Sequence, residues 1–227
     1  MDKRFLAILA AVIIGLAGIF ALTNQSNDGK SGNSGNSGAQ PTSHISGQGQ
    51  SGVTLMEYGD YQCPVCFAYH STLNQVAQKY QKEIFFQFRN LPLVSIHQNA
   101  FAAARAAEAA GKQNKYWQMY NKLYENQSTW SSSSNALNFF KSYAKAIGLD
   151  GSQFEKDYAS ASINDAINAD LDAFDKTGQP QATPTFFING KYIANSEFSD
   201  SSTGAPSVEK FSTQIDKAIA EQKKTGS

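Results

Sequence analysis

The stretch Val53-Thr54-Leu55-Met56-Glu57-Tyr58-Gly59-Asp60-Tyr61-Gln62-Cys63-Pro64-Val65-Cys66 holds both cysteines of the chain and passes from a β-prone run into a helix. Val53 to Tyr58 is short and apolar, which predicts a strand, and Gly59 to Gln62 turns the chain. Pro64 suits a first helical position, where its missing N–H costs nothing. Phe67, Leu73, Val76 and Tyr80 then form an apolar helical stripe to about Gln81. Ile84-Phe85-Phe86-Gln87-Phe88 predicts a second strand, apolar enough to be buried on both faces. Strand, helix and strand at this spacing predict a parallel βαβ unit with a right-handed crossover. The junction places Cys63 at or beside the helix N-cap, where unpaired N–H groups and the macrodipole favour thiolate over thiol. Cys66, one turn later, can close a small ring with Cys63 and serve as the resolving thiol.

Downstream, the pattern is helical from about Gln98 to Lys176. Leu137, Phe140, Ala144 and Ile147 repeat at helical spacing before Gly148, and Ile163, Ile167, Leu171 and Phe174 do so before Gly178. Trp117, Tyr120 and Tyr124 line another helical face and read as packing residues. Thr185-Phe186-Phe187-Ile188, Asn189-Gly190 and Lys191-Tyr192-Ile193-Ala194 predict a hairpin, because Asn-Gly accommodates the positive φ angles of a tight turn. Val208, Phe211, Ile215 and Ile219 predict a final amphipathic helix. The fold class is therefore α/β: one mixed sheet over about 53–227 with helices on both faces, and an all-helical insertion over about 97–178.

Upstream, Lys3 and Arg4 precede an apolar run from Phe5 to Leu22, which as a helix is roughly 27 Å long. The run over 1–22 predicts a single-pass transmembrane signal anchor. No basic residue follows until Lys30, so the N-terminus stays in the cytoplasm and the rest lies outside the cell membrane. A cleaved signal peptide is the competing reading, but Ile19 to Thr23 shows no small-x-small cleavage site. Residues 23–52, rich in Ser, Gly and Asn, have little apolar surface and read as a flexible tether without structure. The 227 residues carry 19 basic and 19 acidic side chains, which is not the charge footprint of a nucleic-acid binder.

Cys-x-x-Cys alone is shared by redox, zinc and haem sites. Phe67 rather than His follows Cys66, which excludes haem attachment. Zinc would gain at most a third ligand, His70, so no metal is expected. His97 reads as a capping or surface group and His44 as part of the tether. Asp165, Asp170, Asp172 and Asp175 match no calcium loop and read as a solvated helix face. No triad, paired-carboxylate or phosphate-loop spacing appears.

Glu57 to Cys66, followed downstream by Ala182-Thr183-Pro184-Thr185-Phe186-Phe187-Ile188-Asn189-Gly190, resembles the DsbA-like branch of the thioredoxin superfamily, especially its membrane-anchored BdbD type. The resemblance covers Val53 to roughly Ile219. It implies a thioredoxin fold with a helical insertion, and a protein thiol-disulfide oxidoreductase that needs no cofactor. Thr183-Pro184 aligns with the cis-proline loop that faces the cysteines and, with Pro64 and Val65, contacts substrate. Glu57 matches a buried acidic residue that moves the proton of Cys66; its bland alternative is a surface carboxylate on an edge strand. Val65 departs from the Pro-His pair of DsbA, which leaves the strength of oxidation open. The implied partners are reduced secreted proteins and a quinone-linked membrane reoxidase, DsbB-like or VKOR-like, with the chain itself a monomer. A reductase or isomerase, or a surface binding module stapled by an inert Cys63–Cys66 disulfide, remains an alternative.

Overall fold

The computed structural model describes residues 38–225; the apolar run Phe5–Leu22 and the first part of the expected tether lie outside them. Strands β1 (His44–Ser46), β2 (Val53–Gly59), β3 (Ile84–Asn90), β4 (Thr185–Ile188) and β5 (Lys191–Ile193) form one mixed sheet in the order β1-β3-β2-β4-β5. β2 and β3 are parallel, joined across helix α1 (Pro64–Lys79), while β1, β4 and β5 pair antiparallel with their neighbours. Asn189 and Gly190 make the two-residue β4–β5 turn with φ of 49° and 76°, as their chemistry requires. Helices α2 (Ala100–Gly111), α3 (Tyr116–Glu125), α4 (Gln127–Trp130), α5 (Ala136–Ala146), α6 (Gly151–Tyr158) and α7 (Ala161–Asp175) lie between β3 and β4. Helix α8 (Val208–Thr225) follows the hairpin.

The period-2 alternation of β2 sets the two faces of the sheet. Val53 and Leu55 pack with Leu73 and Val76 of α1 and with Phe211 and Ile215 of α8. Each such fully buried side chain contributes about 1.5–3 kcal/mol. Glu57 shares their parity, so the pleat directs its carboxyl toward the α1 face. Tyr58, on the opposite parity, packs with Phe174 of α7 and with Phe187. A further core joins Tyr61 and Phe88 to Tyr120, Tyr124, Trp130 and Phe140 of the helical segment, so the loop before Cys63 is seated on that segment.

Two expectations are corrected here. Residues 39–52 are not a structureless tether: β1 pairs with β3, and the N–H groups of Gln48, Gly49, Gln50 and Ser51 donate to carbonyls of residues 81–84 at 2.8–3.2 Å. Composition misses this because the segment is held by backbone pairing rather than apolar burial. Asp170 is not on a solvated face either. It is fully buried and accepts hydrogen bonds from the Thr42 N–H and hydroxyl at 2.7 Å and from the Asn90 N–H at 2.9 Å. No helix among the described residues is long and apolar enough to cross a membrane.

Candidate active site

Cys63 is the N-cap of α1 with extended backbone, and Pro64 occupies the first turn. The chain folds this way because Pro cannot donate and has the φ of a helical first residue. The Cys63 N–H donates to the Asp60 carbonyl at 3.1 Å, and its own carbonyl accepts the first helical bond from Phe67. Both cysteines are free thiols, buried at 5% and 1% exposure. Their environments differ sharply. Hydrogen bonding from Cys66 outweighs burial at Cys63 and, with help from Thr183 and the N–H groups of Cys66 and Val65, lowers its thiol to about 6. Burial, and then the hydrogen bond it gives Cys63 and the charge of Glu57, push Cys66 well above the ordinary thiol range.

The partner loop arrives from β4. The Cys63 thiol lies 3.4 Å from the Thr183 carbonyl, to which it donates, and Thr183–Pro184 is a cis peptide. A shallow cleft of about 110 Å³ runs beside Pro184, lined by Pro180, Ala182, Thr185 and Tyr192 among others. Val65 and Phe67, on the first turn of α1, are each 48% exposed, so the rim beside Cys63 is apolar and open.

Glu57 is wholly buried on β2, and neither carboxyl oxygen has a protein hydrogen-bond partner. Burial, reinforced by the charge of Cys63, raises it to about 8. A carboxyl in that state is mostly protonated at neutral pH and can deliver a proton to a thiolate nearby. The edge-strand surface alternative for Glu57 is thereby excluded, since β2 lies between β3 and β4.

Sequence reading missed the groups that hold this loop. Gln127 donates from Nε2 to the Tyr61 and Cys63 carbonyls at 2.8 and 3.0 Å. Gln62 accepts from the Asn99 N–H at 2.7 Å and donates to the Ser131 carbonyl at 2.8 Å. His97 is no surface cap: its Nδ1 lies 2.7 Å from the buried Asp60 carboxylate. Only Asp60 carried a signal, since a loop Asp two residues before Gln62 is suited to accept that residue's N–H, as it does at 2.7 Å. His70, the one candidate third zinc ligand, instead faces Asn121 at 2.8 Å. No group of three or more His, Cys, Asp or Glu side chains among the described residues is arranged to hold a metal.

Comparison with known proteins agrees with this fold. The family model described as Thioredoxin matches residues 39–217. The probable disulfide bond formation protein D of Bacillus anthracis is 28% identical over 167 residues, covering 70% of this chain and 75% of that protein. The structure of oxidised BdbD from Bacillus subtilis superposes with a TM-score of 0.65 at 23% identity, covering 80% of this chain and 97% of that one. The Na(+)/H(+) antiporter NhaA 1 of Mycolicibacterium gilvum is 34% identical over 151 residues, which is 65% of this chain. The match spans only 23% of the antiporter's length. The chain thus belongs to the thioredoxin family and has the DsbA-like form of its fold.

Proposed function

We propose that this chain is an extracytoplasmic thiol-disulfide oxidoreductase, anchored in the cell membrane through Phe5–Leu22, that donates a disulfide to reduced secreted or surface proteins. The observation that carries the reading is the asymmetry of the pair: a nucleophile lowered to about 6 beside a buried resolving thiol raised well above its usual range. An inert staple needs no such difference. A reactive pair uses it, because a stable Cys63 thiolate makes the reduced form favourable and the disulfide oxidising.

In the forward step a substrate thiolate attacks Cys63 Sγ of the Cys63–Cys66 disulfide. A substrate–Cys63 bond forms, the Cys63–Cys66 bond breaks, and Cys66 leaves as a thiolate. Glu57 supplies the proton that this buried thiolate takes up. A second substrate thiolate then attacks the substrate sulfur of the mixed disulfide, releasing Cys63 as a thiolate and the substrate as a disulfide. The Thr183-Pro184 loop beside Cys63 is where an extended substrate segment would pair, displacing the bond from Cys63 to the Thr183 carbonyl, and the exposed Val65 and Phe67 offer it apolar contact. Two electrons now reside on the dithiol, and a quinone-linked membrane reoxidase, DsbB-like or VKOR-like, removes them. Ion transport is not carried over from the antiporters, whose shared portion is under a quarter of their length.

The test is the reduction potential of the Cys63–Cys66 pair in glutathione buffers. A value near about −120 mV supports donation, and one near about −270 mV overturns it in favour of a reductase. Cys63→Ser is expected to abolish exchange with a dithiol peptide; retained oxidation by that variant would sink the cycle.

A further inference from the structure

Asp60 is bound at both ends. Its side chain is fully buried: Oδ1 accepts from the Gln62 N–H at 2.7 Å, and Oδ2 accepts from the Leu93 N–H at 2.9 Å and faces His97 Nδ1 at 2.7 Å. Its backbone carbonyl accepts from the Cys63 N–H at 3.1 Å and from the Tyr124 hydroxyl at 3.4 Å. The side chain therefore fastens the turn before α1 to the 91–99 segment, while the carbonyl fastens Cys63 itself. His97, with a side chain only 14% exposed, is the partner of the carboxylate that a substitution can remove, since the other two are the backbone N–H groups of Gln62 and Leu93. We propose that Asp60, held by His97, is a positioning residue for Cys63: it sets the turn so that the N–H groups of the first turn of α1 point at the sulfur. The proposal rests on the exchange reading above and goes beyond it by adding residues that never touch substrate.

A buried carboxylate could act here in a different way, through its charge alone, and the two roles have opposite signs. Removing a negative charge near a thiolate stabilises the thiolate and lowers the thiol's pKa. Losing the positioning of the N–H groups destabilises the thiolate and raises it. The groups that act on Cys63 are Cys66, Thr183 and the N–H groups of Cys66 and Val65, and Glu57 is coupled to it by charge; the Asp60 carboxylate is not among them, so it reaches Cys63 only through the aim of those N–H groups and through the Asp60 backbone, which bonds Cys66. The sign of the shift is thus a readout that a merely structural role does not move.

The experiment titrates the Cys63 thiolate of the reduced full chain by ultraviolet absorbance in native protein, Asp60→Asn, His97→Ala and His97→Gln, alongside thermal unfolding. Asp60→Asn is expected to raise the Cys63 pKa by about one unit, so that the thiolate fraction at pH 6 falls from about a half to about a tenth. His97→Ala should shift it less in the same direction, and His97→Gln, whose amide can donate to Asp60, should restore the native value. An unchanged or lowered pKa in a cooperatively folding Asp60→Asn overturns the proposal. If Asp60→Asn does not fold, the His97 pair decides: equal values for Ala and Gln overturn it. A native Cys63 that titrates in the ordinary thiol range overturns the exchange reading and this inference together, whereas a low native value unmoved by Asp60→Asn overturns this inference alone.

Discussion

Glu57 at the cysteines and Asp170 at the junction of β1 and α7 are both wholly buried carboxyls, yet their surroundings are opposite. Asp170 is surrounded by donors: the Thr42 N–H and hydroxyl, and the Asn90 N–H and side-chain amide, lie 2.7–3.1 Å from its oxygens. Nearby Glu108 accepts from the Asn90 amide at 2.8 Å and meets His44 at 2.8 Å. Glu57 has no protein partner at either oxygen. A satisfied buried carboxylate is a fastening, because its hydrogen bonds offset desolvation only while every donor stays in place. An unsatisfied one is destabilising, and its place beside the proposed resolving thiol fits the proton transfer proposed above better than it fits packing. The difference separates the carboxyl that holds the fold from the one proposed to do the chemistry, although the two sites adjoin where Asn90 pairs with Gly59.

The strongest way to break that separation is Asp170→Ala. It strands three buried donors, the Thr42 N–H and hydroxyl and the Asn90 N–H, while the Asn90 amide keeps Glu108, and should cost about 3–5 kcal/mol. For a domain of this size, thermal unfolding should move down by about 10 °C. Thiol exchange, measured below the transition, should be unchanged because Asp170 is not among the groups that act on Cys63. A variant that keeps native stability would show that Asp170 fastens nothing.

Glu57→Gln should go the other way. The carboxyl is raised from 4.5 to about 8 in the folded protein, so its ionisation opposes folding. That opposition is absent below the unfolded value, grows as pH rises above 4.5, and is complete once pH passes 8. Native protein is therefore expected to lose stability across this window, and Glu57→Gln to remove the loss, gaining up to about 3 kcal/mol at pH 7. The same variant cannot protonate the leaving Cys66 thiolate and should slow that step by roughly 100-fold. Urea unfolding at several pH values, paired with stopped-flow exchange, reads both effects; a variant that is less stable and equally fast would place Glu57 with the fastenings.

The contrast also shows what the sequence made legible. The βαβ unit, the Asn-Gly hairpin and the cysteine junction follow from local rules: strand alternation, a Pro at the first helical position, two residues tolerant of positive φ. These could be read from neighbours in the chain. The fastenings join residues far apart in sequence, Thr42 with Asp170 and His44 with Glu108, separated by 128 and 64 positions. No periodicity marks them, and a polar segment that docks through backbone bonds looks the same as one that does not dock. Glu57 was legible only through the resemblance of its surrounding motif, since an acidic residue in a short strand is otherwise as fit for a surface. Gln127 was not legible at all, because its value lies in two carbonyls presented by a loop 64 to 66 positions upstream.

The finest test of the separation is His44. Its Nε2 sits 2.8 and 2.9 Å from the two oxygens of Glu108, and its ring stacks on Tyr116 at 3.4 Å between centroids. Its side chain is 21% exposed against 7% for Glu108, so water can partly replace what His44→Ala removes. The loss should be about 1–2 kcal/mol, smaller than at Asp170, and His44→Gln should recover part of it by donating to one oxygen. Tyr116 also accepts a hydrogen bond from the Tyr61 hydroxyl at 2.9 Å, and Tyr61 lies two residues before Cys63. That contact is a side-chain route by which the fastened region could reach the reacting one, beside the pairing of His44 with Phe88 and of Phe88 with Glu57 in the sheet. An exchange rate that falls in His44→Ala in proportion to stability would mean the route carries coupling and the two ends are not independent. An unchanged rate, measured well below the unfolding transition, would mean the Tyr61–Tyr116 bond orders the core without tuning the thiol, and that the turn before Cys63 is set from the Asp60 side.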